Sequence, residues 1–190
     1  MTLSTDLPGV EAEWSALDLP PGQDFWVFGY GSLMWNPGFA HQEACQAKLH
    51  GYHRRFCVFS HNHRGTPDKP GLVFGLDRGG ACRGMAYRIS HDQGPAVMAY
   101  LYEREMVYGV YMPRWVPVDL GNRRVRAATF VVNRRDPLYA GRIGEREMLR
   151  LVRQGVGTSG TCGDYLRNTL THLEAIGLTD AKLSRLYEML

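Results

Sequence analysis

Phe25-Trp26-Val27-Phe28-Gly29-Tyr30-Gly31-Ser32-Leu33-Met34-Trp35 is the stretch from which the rest of the chain is best read. Four consecutive apolar residues are followed by two glycines in three positions. A short apolar run bounded by turn signals is the pattern of a buried strand, here one that runs into a glycine turn. Gly29 and Gly31 lack a Cβ, so the backbone there can bend sharply and come close to another group. Successive N–H groups of Gly31, Ser32 and Leu33 would then face one concavity suited to an anion such as a carboxylate. A plain turn closing a core strand fits the same residues equally well. Three familiar motifs are excluded. A dinucleotide-binding G-x-G-x-x-G needs a third glycine where Met34 stands, and the P-loop lysine is missing. A nucleophile elbow around Ser32 would need glycines in place of Tyr30 and Met34.

Outward from this stretch, further β-rich runs lie at Arg54–Ser60, Leu72–Leu76, Cys82–Ile89, Arg114–Val118 and Val125–Val132. They are rich in Val, Phe, Tyr and Trp, and Gly or Pro punctuates the gaps. Helical signals follow. Ser90 and Gln93 have capping-box spacing, and Val97, Met98, Leu101 and Glu105 fall on one helical face beyond them. Leu166, Thr169, Leu170 and Leu173 follow the i, i+3, i+4, i+7 pattern. Thr179 reads as an N-cap, Leu178 and Leu183 as a hydrophobic staple, and Leu183, Leu186 and Leu190 as an apolar stripe. Strands dominate the middle and helices the end, so the class is α+β. Residues 1–24, with Pro8, Pro20 and Pro21, read as an N-terminal arm holding at most one short helix around Val10–Leu17. Residues 25–190 read as the folded domain.

The 190 residues suit one compact core, and 44% hydrophobic with 22% charged residues is ordinary for a globular chain. No apolar run reaches the roughly 18 residues of a membrane span, and the first residues lack the pattern of a signal peptide. Cys45, Cys57, Cys82 and Cys162 show no C-x-x-C spacing. They read as four reduced thiols in a cytoplasmic protein. The formal charge is +3. Its densest part, Arg123-Arg124-Val125-Arg126 with Arg134-Arg135 beyond, flanks an apolar run. Two solvated strand ends account for it better than a nucleic-acid surface.

The segment Tyr100-Leu101-Tyr102-Glu103-Arg104-Glu105 holds two glutamates that are not equivalent. At 100° per residue Glu105 shares the face of Val97, Met98 and Leu101, while Glu103 points to solvent, where Arg104 or other polar groups can accompany it. A carboxylate on an apolar face loses hydration and its pKa rises, which suits a general base that must also return the proton. The plainer alternative is a rim glutamate paired with a neighbouring arginine. His61-Asn62-His63 with Asp68 and Cys57 nearby reads as a turn-rich loop rather than a metal site, since no third ligand has recognisable spacing. Tyr165, at the start of a helix, is open to two readings: core filling, or a hydroxyl that reaches a ligand.

Taken together and in order, these stretches resemble the ChaC-like γ-glutamylcyclotransferases over roughly residues 25–178. Val27-Phe28-Gly29-Tyr30-Gly31-Ser32-Leu33 and Trp35-Asn36-Pro37-Gly38-Phe39 resemble the family's opening strand and substrate loop. Arg54-Arg55-Phe56, His63-Arg64-Gly65-Thr66-Pro67, Pro70-Gly71 and Gly84-Met85-Ala86-Tyr87-Arg88 resemble its next blocks. Tyr100-Leu101 through Arg104-Glu105 resembles the segment with its catalytic glutamate, which maps to Glu105. Gly157-Thr158-Ser159-Gly160, Asp164-Tyr165-Leu166 and Asn168-Thr169 resemble its C-terminal signature. A departure falls at Met106-Val107-Tyr108-Gly109-Val110-Tyr111, where eukaryotic members carry a shorter glycine-rich turn.

The resemblance implies a small mixed β-barrel-like core flanked by helices, with a helical C-terminus. It implies cleavage of a γ-glutamyl peptide, glutathione first among them, into 5-oxoproline and cysteinylglycine. Glu105 would be the acid/base, Val27 to Leu33 the substrate loop, and Tyr30 and Tyr165 orienting hydroxyls. No metal, cofactor, nucleic-acid or membrane partner is implied. Other γ-glutamyl amino acids or amines as substrates, or a non-catalytic binding module, stay open at this level.

Overall fold

The computed structural model describes residues 17–106 and 109–190. The helix expected around Val10–Leu17 lies outside the described residues except for Leu17, which is buried in one apolar cluster with Phe25 and Val27.

Five strands close a barrel in the order β1-β3-β2-β4-β5: β1 (Phe25–Gly29), β2 (Glu43–Ser60), β3 (Gly71–Ile89), β4 (Tyr111–Asp119) and β5 (Arg124–Val132). All the pairings are antiparallel except that of β1 with β5, so the barrel is mixed. Every residue of β1 is buried. Successive side chains of a strand leave on opposite faces. Trp26 and Phe28 therefore pack with Phe56 and Leu72, while Phe25 and Val27 pack with Ile89 and Leu101. Burial on both faces is why this segment is a continuous apolar run rather than an alternating one.

Two expected strands, Leu72–Leu76 and Cys82–Ile89, are one 19-residue strand, and Arg54–Ser60 is the end of an 18-residue one. The glycines between the runs bend the ladder instead of breaking it. Gly51, Gly79 and Gly80 all have positive φ. They sit where the pairing shifts between His50–Ala81 and Tyr52–Arg78, a bulge that turns the long ribbon.

The helices are α1 (Gly94–Glu105), α2 (Glu145–Gln154), α3 (Cys162–Ala175) and α4 (Ala181–Glu188). The first buries Val97, Met98 and Leu101 against the β1 side of the barrel. Its expected capping box does not form. Ser90 instead caps a 3-10 turn, His91–Gln93, with no side-chain bond, and Pro95 lies in the first turn of α1. The α2 helix had no counterpart in the sequence reading, although Met148, Leu151 and Val152 share a face, Glu145 and Glu147 open it and Arg153 closes it. In α3, Leu166, Thr169 and Leu173 are buried as expected, and Thr161 caps the helix by accepting from the Asp164 N–H. The cap of α4 is Asp180, not Thr179; its carboxylate accepts from the Leu183 N–H at 3.2 Å. That one-residue shift removes the staple, and Leu178 and Leu183 join different clusters. Leu183 and Leu186 are buried, whereas Leu190 is exposed.

The arginines of the 123–126 and 134–135 clusters are exposed, as expected of solvated strand ends, and several also make contacts. Arg123 lies over Trp26 and Arg126 over Trp115. Arg134 is bonded to Asp77, a buried carboxylate of β3 that also accepts from Arg55 and from the Tyr139 hydroxyl. Among the described residues, no helix is long and apolar enough to cross a membrane.

Candidate active site

The glycine turn follows β1 and continues into a 3-10 turn, Ser32–Met34. Neither Gly29 nor Gly31 has a positive φ. Their glycine character is a matter of space. A Cβ on Gly29 would stand 2.8 Å from Leu33 Cβ, and one on Gly31 would stand 2.9 Å from the Tyr165 hydroxyl. Tyr165 fills the core with its ring, near Phe56 and Phe74, and its hydroxyl stands in the space that a side chain on residue 31 would need.

The carbonyls of this loop are held by side chains. The Thr129 hydroxyl donates to Phe28 O at 2.9 Å and Arg54 Nε donates to Tyr30 O. The Tyr87 hydroxyl donates to Leu33 O at 2.8 Å and to Met34 O at 3.0 Å. The first amides of a helical turn have no acceptor within that turn. The loop is thus fixed through its acceptors and opens with amides that its own turn does not use. Val27, Phe28, Tyr30 and Leu33 are buried; Val27 and Phe28 serve the core.

Glu105 ends α1, on the face of Val97, Met98 and Leu101, and Glu103 is exposed. The helical phase read from the sequence is the one observed. The Glu105 side chain is 18% exposed. Burial pushes its carboxyl above the usual carboxylate range, and the adjacent Arg104 guanidinium pulls it partly back. Burial also raises the hydroxyl pKa of Tyr30, Tyr111 and Tyr165, and the negative charge of Glu105 adds to each. Three phenols thus share the enclosure of this carboxylate and remain protonated at any ordinary pH.

Arg104 turns toward the glycine turn and Glu105. Its Nη2 donates to the Ser32 hydroxyl at 2.8 Å, its Nη1 to Asn36 O at 2.6 Å and to the Tyr100 hydroxyl at 2.9 Å, and its Nε lies 3.4 Å from the Glu105 carboxylate. A single guanidinium spans the gap between the glycine turn and the acid. Glu105 is accordingly a largely buried carboxylate that also has a neighbouring arginine. Desolvation and pairing with an arginine, which the sequence reading set against each other, occur together in this side chain.

Sequence reasoning missed Arg54, Arg104 and Tyr111 as parts of the site. Arg54 had a signal: it shares strand parity with Phe56, which places a cation on an inward face. Tyr111 belongs to the segment that departs from the family pattern, and its hydroxyl donates to Phe74 O at 2.7 Å. Val107 and Tyr108 of that segment lie outside the described residues. In the loop after β2, His63 is 3.1 Å from the Ser159 hydroxyl. Among the described residues no three His, Cys, Asp or Glu side chains are grouped to hold a metal.

A closed mixed barrel whose glycine turn is bridged to a desolvated glutamate is the arrangement of a small-molecule enzyme site. The chain belongs to the ChaC-like family, whose model, described as ChaC-like protein, matches residues 25–190. It is 36% identical over 162 residues to the glutathione-specific γ-glutamylcyclotransferase of Escherichia coli strain K12, covering 85% of this chain and 70% of that one. It is 32% identical over 175 residues to the human glutathione-specific γ-glutamylcyclotransferase 1, covering 90% and 78%. In fold it resembles the crystal structure of a glutathione-specific γ-glutamyl cyclotransferase from yeast, with a TM-score of 0.80, 23% identity, and coverage of 87% of this chain and 95% of that one.

Proposed function

We propose that this chain is a γ-glutamylcyclotransferase that cleaves glutathione into 5-oxoproline and cysteinylglycine. The observation that carries this reading is the Glu105 carboxylate, desolvated beside three phenols and joined to the glycine turn through Arg104. The relatives' names supply the substrate class.

The α-amine of the γ-glutamyl group attacks its own γ-carbonyl, a five-membered lactam closes, and the amine of cysteinylglycine leaves. Both reacting groups belong to one molecule, so the protein's main task is to hold the curled conformer. An α-amine is mostly protonated at neutral pH. Glu105, as carboxylate, takes that proton and gives it to the departing nitrogen. Its raised pKa narrows the gap to the amine and eases transfer in both directions. The amides of Gly31, Ser32 and Leu33 grip the α-carboxylate or the oxygen on which negative charge develops. Tyr30 and Tyr165, kept neutral by burial, are hydrogen-bond donors for orienting the substrate. Every step uses groups of the chain and the substrate.

The deciding experiment incubates the protein with glutathione and, separately, with γ-glutamyl-alanine, and measures 5-oxoproline. Release from glutathione, lost in Glu105→Gln, is the expected result. Release only from γ-glutamyl-alanine would change the substrate. Release from neither would overturn the assignment.

A further inference from the structure

A cleft of about 810 Å³ lies between the β2–β3 ribbon and the helices α2 and α4. Glu105, the glycine turn, Tyr111 and Tyr165 are not among its lining residues, and Arg54, which also holds Tyr30 O, stands between the two places. Its size falls within the range of small-molecule sites, roughly 300–1,000 Å³. Part of the wall is apolar, formed by Phe56, Met148, Leu173, Leu183, Leu186 and Met189.

Charge around this apolar wall is strongly one-sided. Arg54, Arg55, Arg83, Arg142, Lys182 and Arg185 line the cleft, against the carboxylates of Glu145 and Asp180. Three of the six are offset: Arg55 pairs with Asp77 at 3.1 Å, Arg54 with Asp180 at 3.8 Å, and Arg185 stands 3.9 Å from Glu145. Arg83, Arg142 and Lys182 are exposed and have no acidic partner within 4.0 Å among the described residues. Arg54 is a different case. Its side chain is 3% exposed, it donates to the carbonyls of Tyr30 and Arg83 and to Met34 Sδ, and Asp180 is its ion-pair partner at 3.8 Å.

We propose that this cleft binds a small molecule with one anionic head group and an apolar body, at a site separate from Glu105. The head group is drawn by Arg83 and Lys182, and the body lies on the wall formed by α2 and α4. The inference stands on the cleft's own geometry and does not depend on which reaction Glu105 performs.

The test titrates the native chain at low salt with 1-anilinonaphthalene-8-sulfonate. The uncharged N-phenyl-1-naphthylamine, which has the same rings, is the control. Saturable one-to-one binding of the sulfonate is expected, about tenfold or more tighter than the amine. The double variant Arg83→Glu, Lys182→Glu should weaken it at least about tenfold, and Arg83→Gln, Lys182→Gln by less. Both pairs lie on the exposed rim, so thermal unfolding should stay near that of the parent. In methyl NMR the dye should shift Met148, Leu183 and Met189 and leave Leu33 and Met98 in place. Equal affinity for the neutral amine, indifference to both double variants, or shifts centred on Leu33 would overturn the proposal. So would a cleft closed by a second copy of the chain, seen by sedimentation as a dimer that the dye does not dissociate. Release of 5-oxoproline by the Arg83 and Lys182 variants reports separately on the reaction at Glu105.

Discussion

Arg104 Nη2 donates to the Ser32 hydroxyl at 2.8 Å while its Nε lies 3.4 Å from Glu105, so one side chain fastens the end of α1 to the glycine turn. Positioning and electrostatics both run through it. Arg104→Gln is expected to lower kcat/KM on glutathione by about a hundredfold, the scale of a small misplacement of reacting groups. It should also move the acidic limb of the pH–rate profile to higher pH, because the positive charge that holds the Glu105 pKa down is gone. A lower rate with an unmoved acidic limb would leave Arg104 a purely mechanical strut.

Glu105→Gln should cost about 10²–10⁴ in kcat, the usual contribution of a positioned acid/base, whereas Glu103→Gln, on the exposed face, should leave kcat within a factor of about two. In the parent, kcat/KM should be bell-shaped. Its acidic limb should lie above the ordinary carboxylate value of 4.5, where Glu105 protonates. Its alkaline limb should lie near pH 8, roughly where the substrate amine loses its proton. A parent profile whose acidic limb lies at or below 4.5 would contradict a desolvated base.

The same substitution carries a stability signature. Folded Glu105 holds its proton more tightly than unfolded Glu105 does, so this group's effect on stability is neutral at low pH. It becomes a penalty as pH rises through the raised folded pKa. Glu105→Gln removes that penalty. Its Tm should exceed the parent's at pH 7. The gap should close below the ordinary value of 4.5. Differential scanning calorimetry across pH measures both.

Gly31→Ala places a methyl 2.9 Å from the Tyr165 hydroxyl, so either the turn or the ring must move. A loss of about 1–3 kcal/mol in stability is expected, with at least a tenfold fall in kcat/KM. Gly31→Ala combined with Tyr165→Phe should recover part of the stability, since the colliding oxygen is absent. A double-mutant cycle by chemical denaturation reads that coupling.

Asp77 is expected to matter to the barrel rather than to the chemistry. Burial alone would push its carboxyl up. Hydrogen bonds from Arg134, Tyr139 and the Arg78 N–H prevail and hold it below the ordinary value of 3.8. Its stabilisation is present above that value and is lost as pH falls through the depressed folded pKa. Asp77→Ala should cost about 3 kcal/mol at pH 7, the low end for a broken buried pair because Arg134 reaches solvent. Urea denaturation of parent and variant should show the difference shrinking in strong acid.

Local chemistry in the sequence was enough to place the β1 strand, its glycine turn, the phase of α1 and the burial of α3. Each of these depends on a short-range pattern: an apolar run, a missing Cβ, a 100° step. Such patterns say which face of an element is apolar and leave open what meets it. The barrel joined segments that looked like separate strands because bulge glycines on both arms of the ribbon absorb the bend together, a property of the pairing. The site was completed by residues far apart in the chain. Tyr165 reaches Gly31, Tyr111 reaches Phe74, Arg54 reaches Tyr30, and Arg104 turns toward Ser32 rather than Glu103. Hydrogen-bond partners for buried polar groups are chosen by which backbone carbonyls and hydroxyls the packed barrel leaves within reach. That choice is made only once the strands have closed.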